Sequence, residues 1–262
     1  MKLTEDNYFS QEAEAYYTGS TQIKNFIKCE SEALAKINGE WVEEKSDALI
    51  QSSYIDEYFS GTLEKFKSEH PEIFTLKGEL RSNYKQLDDI IAQTETDEFF
   101  MKYIKGESQV IMTGVISGVP IKIKIDSFHK DKCIVDLKAI KDLKPIWNDE
   151  LKAKENFIDY YDYILQGALY QEIVRQNTGE QLPFIIAVLT KEKFSERALL
   201  QIPQPLLDEK LVFLENYLPH IKNLKEGKID PTECEKCDYY KSRAKVNNVL
   251  NYTDYFNMRG GF

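Results

Sequence analysis

Apolar and polar residues alternate along the stretch Val119-Pro120-Ile121-Lys122-Ile123-Lys124-Ile125-Asp126. A period of two is typical of a strand with one buried face, so this stretch predicts a half-buried β-strand. In such a strand Asp126 shares a face with Lys122 and Lys124. A carboxylate therefore stands at the end of a strand that also carries two ammonium groups.

A second strand follows after a short segment. Residues 127–132 are mainly polar and predict the turn of a hairpin, and residues 133–139 are mostly apolar. Asp136 and Lys138 are two apart and lie on one face of the returning strand. The hairpin thus brings together two carboxylates, counting Asp126, and a lysine. That set can hold a divalent cation and place an ammonium group beside it.

The surroundings of this set bear on whether it is a site. An Asp…Asp-x-Lys pattern arises by chance in many surface hairpins, so the motif alone is weak. Here Asp136 and Lys138 lie among Ile134, Val135 and Leu137, which predict a largely buried strand. Charges in such a strand are unfavourable unless they are paired or bound to a metal.

A helix and a third strand follow the hairpin. Apolar residues recur at helical spacing from 156 to 177, and residues 184–189 form an apolar run typical of a buried strand. This order predicts a right-handed crossover between parallel strands. Gln166 and Tyr170 are four apart and share one face of the helix. Taken alone, such a pair is more simply explained as polar residues on a solvated face.

Three segments, in this order and at this spacing, resemble the RecB/RecE-type branch of the PD-(D/E)XK nuclease superfamily. They are residues 118–126, residues 134–138 and the helical motif Gln166-Gly167-Ala168-Leu169-Tyr170. The chain is most similar to RecE-like exonucleases, of the lambda-exonuclease type, that phages and prophages of Gram-positive bacteria encode. Residues 20–30 also resemble the opening helix of that family, and the similarity spans residues 20–240.

The resemblance implies an α/β fold with a PD-(D/E)XK, or restriction-endonuclease-like, core: a mixed central sheet flanked by helices. We expect residues 1–262 to form one nuclease domain. Its parts are a mainly helical region at 1–105 that forms a wall over the cleft, a catalytic core at 106–228 and a tail at 229–262. Within these parts, Ser20 is expected to cap a helix over residues 21–37, and Pro205 to open a helix that runs to Lys225.

The resemblance also implies roles for individual residues. Asp126 and Asp136 are the metal-binding carboxylates, and the carbonyl of Leu137 is a further oxygen ligand. Hard oxygen ligands suit Mg²⁺ or Mn²⁺. Lys138 positions the attacking water or helps to deprotonate it, and the metal lowers the pKa of that water.

Four further residues complete the implied site. Gln166 and Tyr170 brace it and contact the DNA backbone. Glu107 resembles an acidic residue that joins the metal shell in related exonucleases, although a solvent-facing carboxylate explains it equally well. Asp56 stands where many RecB/RecE-type nucleases have a histidine, and it is still an acceptable hard ligand for Mg²⁺.

The chain has four cysteines. Cys133 begins an apolar strand and is most simply a small core residue. Cys234 and Cys237 resemble part of the iron–sulfur motif of some relatives, but Tyr240 occupies the place of a third cysteine. Cys29 can supply a third ligand, and a fourth is missing. We therefore expect a vestigial pair and no iron–sulfur cluster.

Composition constrains the interpretation. A chain of 262 residues can bury one substantial core, and its net charge of −10 argues against a non-specific basic coat for DNA. Seven lysines nevertheless lie between residues 122 and 144, so the hairpin itself is locally basic. No apolar run reaches membrane-spanning length, and no signal peptide is evident. We expect a cytoplasmic protein of a bacterial host cell, encoded by a phage or prophage.

The function that the resemblance implies is a metal-dependent DNA exonuclease. It would degrade double-stranded DNA ends from 5′ to 3′ and leave single-stranded tails for phage-type homologous recombination. A RecT-type single-strand annealing protein is the implied partner, and a homo-oligomeric ring, trimeric or tetrameric, the implied assembly. Aromatic residues near both ends are candidate ring contacts, although packing within their own subunit explains them equally well: Tyr8, Phe9, Tyr16, Tyr17, Tyr252, Tyr255, Phe256 and Phe262.

Two alternatives stay open at this point. One is a nuclease of the CRISPR-adaptation type, or another RecB-family nuclease, whose iron–sulfur cysteines this chain keeps only in part. The other is a non-catalytic DNA-binding relative. Against the latter stands the intact Asp…Asp-x-Lys set, since a decayed site usually loses a carboxylate first.

Overall fold

The computed structural model describes residues 1–246, 249–253 and 255. The α-helices in this part of the chain are α1 (Gln11–Tyr16), α2 (Ser20–Lys28), α3 (Glu30–Ile37), α4 (Asp47–Ser60), α5 (Leu63–Glu69), α6 (Ser82–Glu95), α7 (Glu98–Ile104), α8 (Phe157–Tyr160), α9 (Tyr163–Thr178), α10 (Gln204–Lys225) and α11 (Asp238–Arg243). The strands are β1 (Glu107–Ile116), β2 (Val119–His129), β3 (Cys133–Ile140), β4 (Ile146–Asn148), β5 (Ala153–Glu155), β6 (Phe184–Thr190) and β7 (Arg197–Gln201). Within those residues, none of the helices combines the length and the apolar character needed to cross a membrane.

Five strands form one mixed sheet in the order β1-β2-β3-β6-β7. The β1–β2, β2–β3 and β6–β7 pairs are antiparallel, and β3 pairs with β6 in parallel. The parallel pair is the one predicted from the helical segment between residues 133–139 and 184–189. A mixed sheet flanked by helices confirms the predicted α/β fold.

Helices cover both faces of this sheet. One core contains strand residues such as Ile134 and Ile186 together with residues of α2, α3, α9 and α10. The other core contains Val135, Leu137 and Ala187 together with residues of α4 to α7. Because successive side chains on a strand alternate between faces, β3 is buried on both sides. A charged residue on β3 therefore lies inside the protein.

The predicted helix over residues 21–37 is wrong in one respect, because the structure divides it in two. Cys29 has an extended backbone (φ −165°, ψ 111°) and separates α2 from α3. Ser20 is the first residue of α2, and Gly19, not Ser20, is its cap. The break is stabilised from outside, since Glu30 and Ser31 both hydrogen-bond to Thr232.

The predicted helix from 156 to 177 is also divided. Asp162 adopts a left-handed conformation (φ 47°, ψ 52°) between α8 and α9, and its side chain accepts a hydrogen bond from the backbone N–H of Leu165. An aspartate tolerates this conformation better than most residues, because its short side chain bonds locally to the backbone. Lys210 lies 3.1 Å from the same carboxylate and helps to hold the junction.

The predicted turn at 127–132 is shorter than expected. Strand β2 continues to His129, and the pairs Ser127–Val135, Phe128–Ile134 and His129–Cys133 extend the hairpin. The connection itself spans only residues 130–132. Phe128 is the physical reason, because its side chain is buried in the core and keeps this segment in the sheet.

Gly167 permits the close approach of α9 to the sheet. A Cβ atom at this position would lie 2.7 Å from a ring carbon of Phe184 and 3.0 Å from a methyl carbon of Leu207. We predict that Gly167→Ala lowers the free energy of unfolding by about 1–3 kcal/mol, as overpacking of a core does. Urea denaturation measures this change.

The double variant Gly167→Ala, Phe184→Leu tests the cause. Removing the ring makes room for the new methyl group, so the two substitutions together should cost less than the sum of their separate costs. Simple additivity of the two costs would contradict steric overlap with Phe184.

Candidate active site

Strands β2 and β3 separate at one point of the sheet. They pair from residues 127–129 to residues 133–135, and no pair follows beyond Ser127–Val135. At the point of separation, the carboxylate of Asp126 accepts a hydrogen bond of 2.9 Å from the backbone N–H of Leu137. The N–H of Leu137 thus bonds to the side chain of Asp126 instead of to the backbone of β2, and a gap opens between β2 and β3 at this point.

Asp136 lies in this gap and is 1% exposed. Its Oδ1 accepts a hydrogen bond of 2.7 Å from the side-chain amide of Gln166, and its Oδ2 lies 2.6 Å from Lys138 Nζ. Burial alone would lower the pKa of Lys138, but the carboxylates of Asp136 and Asp126 outweigh it and raise that pKa. Lys138 is therefore held as an ammonium ion.

Gln166 and Tyr170 connect α9 to the two separated strands. Gln166 binds Asp136 on β3, and the hydroxyl of Tyr170 donates a hydrogen bond of 3.0 Å to the carbonyl of Lys124 on β2. Both side chains are buried, and burial raises the pKa of Tyr170. In the structure these two residues fix the positions of the strands that carry the carboxylates.

Asp56 reaches the same gap from α4. The hydroxyl of Ser52, one turn earlier, donates a hydrogen bond of 2.9 Å to the carbonyl of Ala139 and so ties α4 to β3. Oδ1 of Asp56 is inaccessible to solvent and has no hydrogen-bond partner among the described residues. Burial, and then the charge of Asp126, raise the pKa of Asp56 well above its ordinary value.

The charges of this cluster suit a divalent cation. Asp56, Asp126 and Asp136 converge, and Lys138 is the ammonium group beside them. Burial and the nearby Asp136 raise the pKa of Asp126 to about 7, against the opposing effects of Lys138 and of the Leu137 N–H. A buried carboxylate oxygen without a partner, beside two further carboxylates, is the ligand set that Mg²⁺ and Mn²⁺ prefer. The residues therefore fit such an ion.

Glu107 is not brought to this cluster. It is exposed at the start of β1, and it lies opposite Phe128 in the ladder. The β1 residue beside the cluster is Gln109, which lines a small cavity with Asp56 and Asp126. Gln109 has a φ of 56°, and the pair Gln109–Asp126 is missing from a β1–β2 register that is the same on either side of it. No local sequence signal marks this interruption.

The cluster lies in a cleft of about 680 Å³. The first turns of α2 form one side of this cleft, as expected for a wall of N-terminal helices, and α4 contributes Asp56 and Leu49. Lys124, Tyr8 and Phe9 also line it. Lys122 lines the cleft but is 2% exposed, and its Nζ lies 2.6 Å from Glu14. Its charge is therefore paired with a carboxylate within the protein.

Two residues of the cleft region were not predicted from the sequence. Lys24 on α2 donates a hydrogen bond of 2.8 Å to the carbonyl of Tyr161, and its Nζ lies 5.0 Å from the ring centre of Tyr163. Nζ of Lys138 lies 5.1 Å from the same ring. Burial, and then the charge of Lys138, lower the pKa of Lys24 to about 8. Tyr163 thus lies between two cations that come from distant parts of the chain.

Residues 19–243 match a family model, and that family is described as "PDDEXK-like domain of unknown function (DUF3799)". The chain belongs to this family. Membership confirms the resemblance to the PD-(D/E)XK superfamily and agrees with the fold of the sheet. Nucleases of this superfamily generally use divalent metals, which agrees with the carboxylate cluster.

One solved structure is similar along nearly the whole PDDEXK-like chain. It is a crystal structure of a "Putative exonuclease" from Eubacterium rectale, with 42% sequence identity and a TM-score of 0.92. The match covers 97% of this chain and 98% of that chain. A structure of SSO0001 matches with 12% identity and a TM-score of 0.27, over 71% of this chain and 86% of that chain. Among curated proteins, none matches.

We predict that Asp56→Asn stabilises the metal-free protein at neutral pH by about 1 kcal/mol, because it removes a buried negative charge whose folded-state pKa is raised. A raised carboxyl pKa destabilises the folded state as the pH rises above the unfolded value. The gain should therefore vanish as the pH falls to about 3 or below, where Asp56 is mostly protonated in both states. Thermal unfolding in EDTA measures it.

The response of thermal stability to divalent metal tests whether Asp56 is a metal ligand. Mg²⁺ or Mn²⁺ should raise the melting temperature of the wild type more than that of Asp56→Asn, because a ligand that binds only the folded state stabilises it. Glu57→Gln is the matched control on the same helix, since Glu57 contacts Thr62 instead of the cluster. An equal response to metal in Asp56→Asn and the wild type would show that Asp56 is not a ligand.

Proposed function

We propose that this PDDEXK-like protein is a metal-dependent deoxyribonuclease that degrades duplex DNA from its ends in the 5′ to 3′ direction. The observation that carries this proposal is the convergence of Asp56, Asp126, Asp136 and Lys138 in one cleft. Support for end-directed cleavage comes from the similar Eubacterium rectale protein, which is described as a "Putative exonuclease".

The proposed metal ligands are Asp126, Asp136, Asp56 and the carbonyl of Leu137, with Mg²⁺ or Mn²⁺ as the ion. When bound, the ion lowers the pKa of a water molecule and offsets negative charge on the scissile phosphate. Lys138 would hold that water by a charge-assisted hydrogen bond. Its position supports this role, because Nζ of Lys138 lies 2.6 Å from Oδ2 of Asp136. Glu107 has no role in this proposal, since it lies apart from the cluster.

Gln166 and Tyr170 would act as positioning residues. The resemblance implies that they brace the site and contact the DNA backbone, and the bonds of these side chains to Asp136 and to the backbone of β2 support the bracing. We assign DNA contact to side chains at the cleft that are more exposed than the buried Lys122. Lys124 is the nearest such cation on β2, and Phe9, 71% exposed, offers a surface for stacking on a base.

The test uses linear duplex DNA labelled at the 5′ or at the 3′ end, with closed circular duplex as the third substrate. With Mg²⁺, we expect early release of the 5′ label, later release of the 3′ label and no cleavage of the circle. Early release of the 3′ label would show cleavage in the opposite direction, from 3′ to 5′. Cleavage of the circle would show an endonuclease.

Variants of the cluster identify the site. We predict that Asp136→Asn and Lys138→Met each lower the cleavage rate by more than about 100-fold, because each removes a group that acts on the water or the phosphate. Circular dichroism checks that both variants remain folded. Lys141→Ala, an exposed lysine just after the same strand, is the matched control and should cleave at the wild-type rate. Full activity in both cluster variants would contradict the assignment.

A ring of three or four subunits is the proposed assembly, with DNA passing through it. Of the predicted N-terminal contacts, Tyr8 and Tyr17 are buried within the subunit, whereas Phe9 and Tyr16 are 71% and 57% exposed. In the tail Tyr252 is 74% exposed, and Phe256 and Phe262 lie outside the described residues. Closed rings arise when one surface binds a different surface on the next subunit.

Light scattering tests the ring. We expect a mass three or four times the chain mass of 30.5 kDa, and a shift towards the monomer in Tyr16→Ser. Phe194→Ser is the control, because Phe194 is also exposed (78%) but belongs to the β6–β7 connection. A wild-type mass of one chain, with and without DNA, would exclude the ring and leave a nuclease that dissociates between cuts.

The proposed biological setting follows from this polarity. Digestion from 5′ ends leaves 3′ single strands, which are the substrate of a RecT-type annealing protein in phage-type homologous recombination. A cytoplasmic location in a bacterial host, with a phage or prophage origin, belongs to the same proposal.

A further inference from the structure

Three of the four cysteines meet on the side of the protein formed by α2, α3 and α11. The sulfur atoms of Cys29, Cys234 and Cys237 all lie within 4.8 Å of one another, and those of Cys29 and Cys237 are 3.9 Å apart. The expected vestigial pair is therefore a triad, assembled from residues about 200 positions apart in the chain. The nuclease cluster does not include any of the three.

The spacing of the sulfur atoms identifies the kind of metal site. Zinc–sulfur bonds are about 2.3 Å long, so two thiolates on one tetrahedral zinc ion lie about 3.8 Å apart. The Cys29–Cys237 separation of 3.9 Å matches this value. An iron–sulfur cubane places each thiolate on a different iron atom and so holds the sulfur atoms farther apart. The triad is thus the size of a site for a single ion.

The turn that carries Cys234 and Cys237 is shaped for thiolate ligands. The backbone N–H of Cys237 donates to the sulfur of Cys234 at 3.3 Å, and the N–H of Tyr240 donates to the sulfur of Cys237 at 3.4 Å. Glu235 adopts a left-handed conformation (φ 58°), which reverses the chain between the two cysteines. Backbone N–H groups directed at sulfur favour the charged thiolate.

Contacts of the residues next to Cys29 hold this cysteine at the break between α2 and α3. It is 4% exposed at the break between α2 and α3. The adjoining residues bind the C-terminal segment, because the N–H of Ser31 donates to the carbonyl of Thr232 at 3.1 Å and the N–H of Thr232 donates to Glu30 at 2.8 Å. The segment that carries Cys234 and Cys237 is therefore tied to the break that carries Cys29, because Thr232 lies two residues before Cys234.

A fourth donor stands next to the triad. Glu32 is 7% exposed on α3, and its carboxylate is one cause of the raised pKa of the Cys237 thiol, although it lies outside the group of three sulfur atoms within 4.8 Å of one another. Lys36 lies 3.0 Å from the same carboxylate and keeps it oriented. A structural zinc site has four ligands, and carboxylate oxygen is an accepted one. The missing fourth cysteine therefore does not leave the site incomplete.

We propose that Cys29, Cys234, Cys237 and Glu32 bind one structural zinc ion that fastens the segment after α10 to the junction of α2 and α3. Because α2 also lines the nuclease cleft, the ion would stabilise one wall of that cleft from outside. The site stands on its own observations and does not depend on the proposed nuclease activity.

The first test is the metal content of the full-length protein, purified with a tag that contains no histidine or cysteine. We expect about one zinc per chain by plasma mass spectrometry, and release of that zinc when a mercurial reagent titrates the thiols of the native protein. Replacement by Co²⁺ should give the intense visible bands of a tetrahedral site together with thiolate-to-cobalt charge transfer. These readouts need no variant and no nuclease assay.

Variants then locate the ion. Cys29→Ser and Cys234→Ser should each reduce the zinc content from about one per chain to near zero, and Glu32→Gln should raise the rate of zinc loss to a chelator. Cys133→Ala, which changes the cysteine outside the triad, and Asp136→Asn, in the nuclease cluster, should both retain full zinc. Iron with acid-labile sulfide, a disulfide between triad cysteines, or wild-type protein without bound metal would each overturn the proposal.

Discussion

The hydrogen bond from the backbone N–H of Leu137 to the carboxylate of Asp126 determines the geometry of the candidate site. It lies where β2 and β3 stop pairing, and it replaces a contact between two backbones with one between a side chain and a backbone. The strands can then diverge without leaving the Leu137 N–H unpaired. The resulting gap admits Asp136 and Lys138 from β3 and Asp56 from α4. Asp56, Asp126 and Asp136 therefore line one cleft of a sheet that is covered on both faces.

The energetic problem of the site is the burial of charge. Asp136 is almost fully buried, and its Oδ1 accepts a hydrogen bond from Gln166. Its Oδ2 has no hydrogen-bond partner among the described residues, but the charge of Lys138 nearby compensates its negative charge. Asp56 has no such partner, and its pKa is raised. Burial of an unpaired carboxylate is unfavourable, and a cation that binds there relieves it. The same imbalance that weakens the metal-free protein would favour binding of the proposed metal.

The sequence was sufficient to predict the parts of the fold that depend on local periodicity. The alternation over 119–126 and the apolar run over 184–189 predicted the strands and the parallel crossover. The spacing of Gln166 and Tyr170 predicted only that they share one face of the helix, and the resemblance was needed to place that face at the site. Long-range events could not be predicted in this way. Cys29 breaks a helix where the chain near Thr232 binds to it. Gln109 lies beside the cluster, and Glu107 does not, because the β1–β2 register sets Glu107 opposite Phe128. Lys24 approaches the site only through the packing of α2, which no local pattern encodes.

Helix α2 connects the two sites of the molecule. Near its start, Gln22 binds the carbonyl of Glu14, and in its middle Lys24 binds the carbonyl of Tyr161 close to Lys138. Its last residue precedes Cys29 of the cysteine triad. A helix of 9 residues is too short to be stable by itself, so its position depends on these contacts from distant segments. Loss of the contact at Cys29 would therefore loosen the wall of the cleft as well as the C-terminal segment. This connection gives a physical reason for a structural metal site to lie far along the chain from the carboxylates that it helps to enclose.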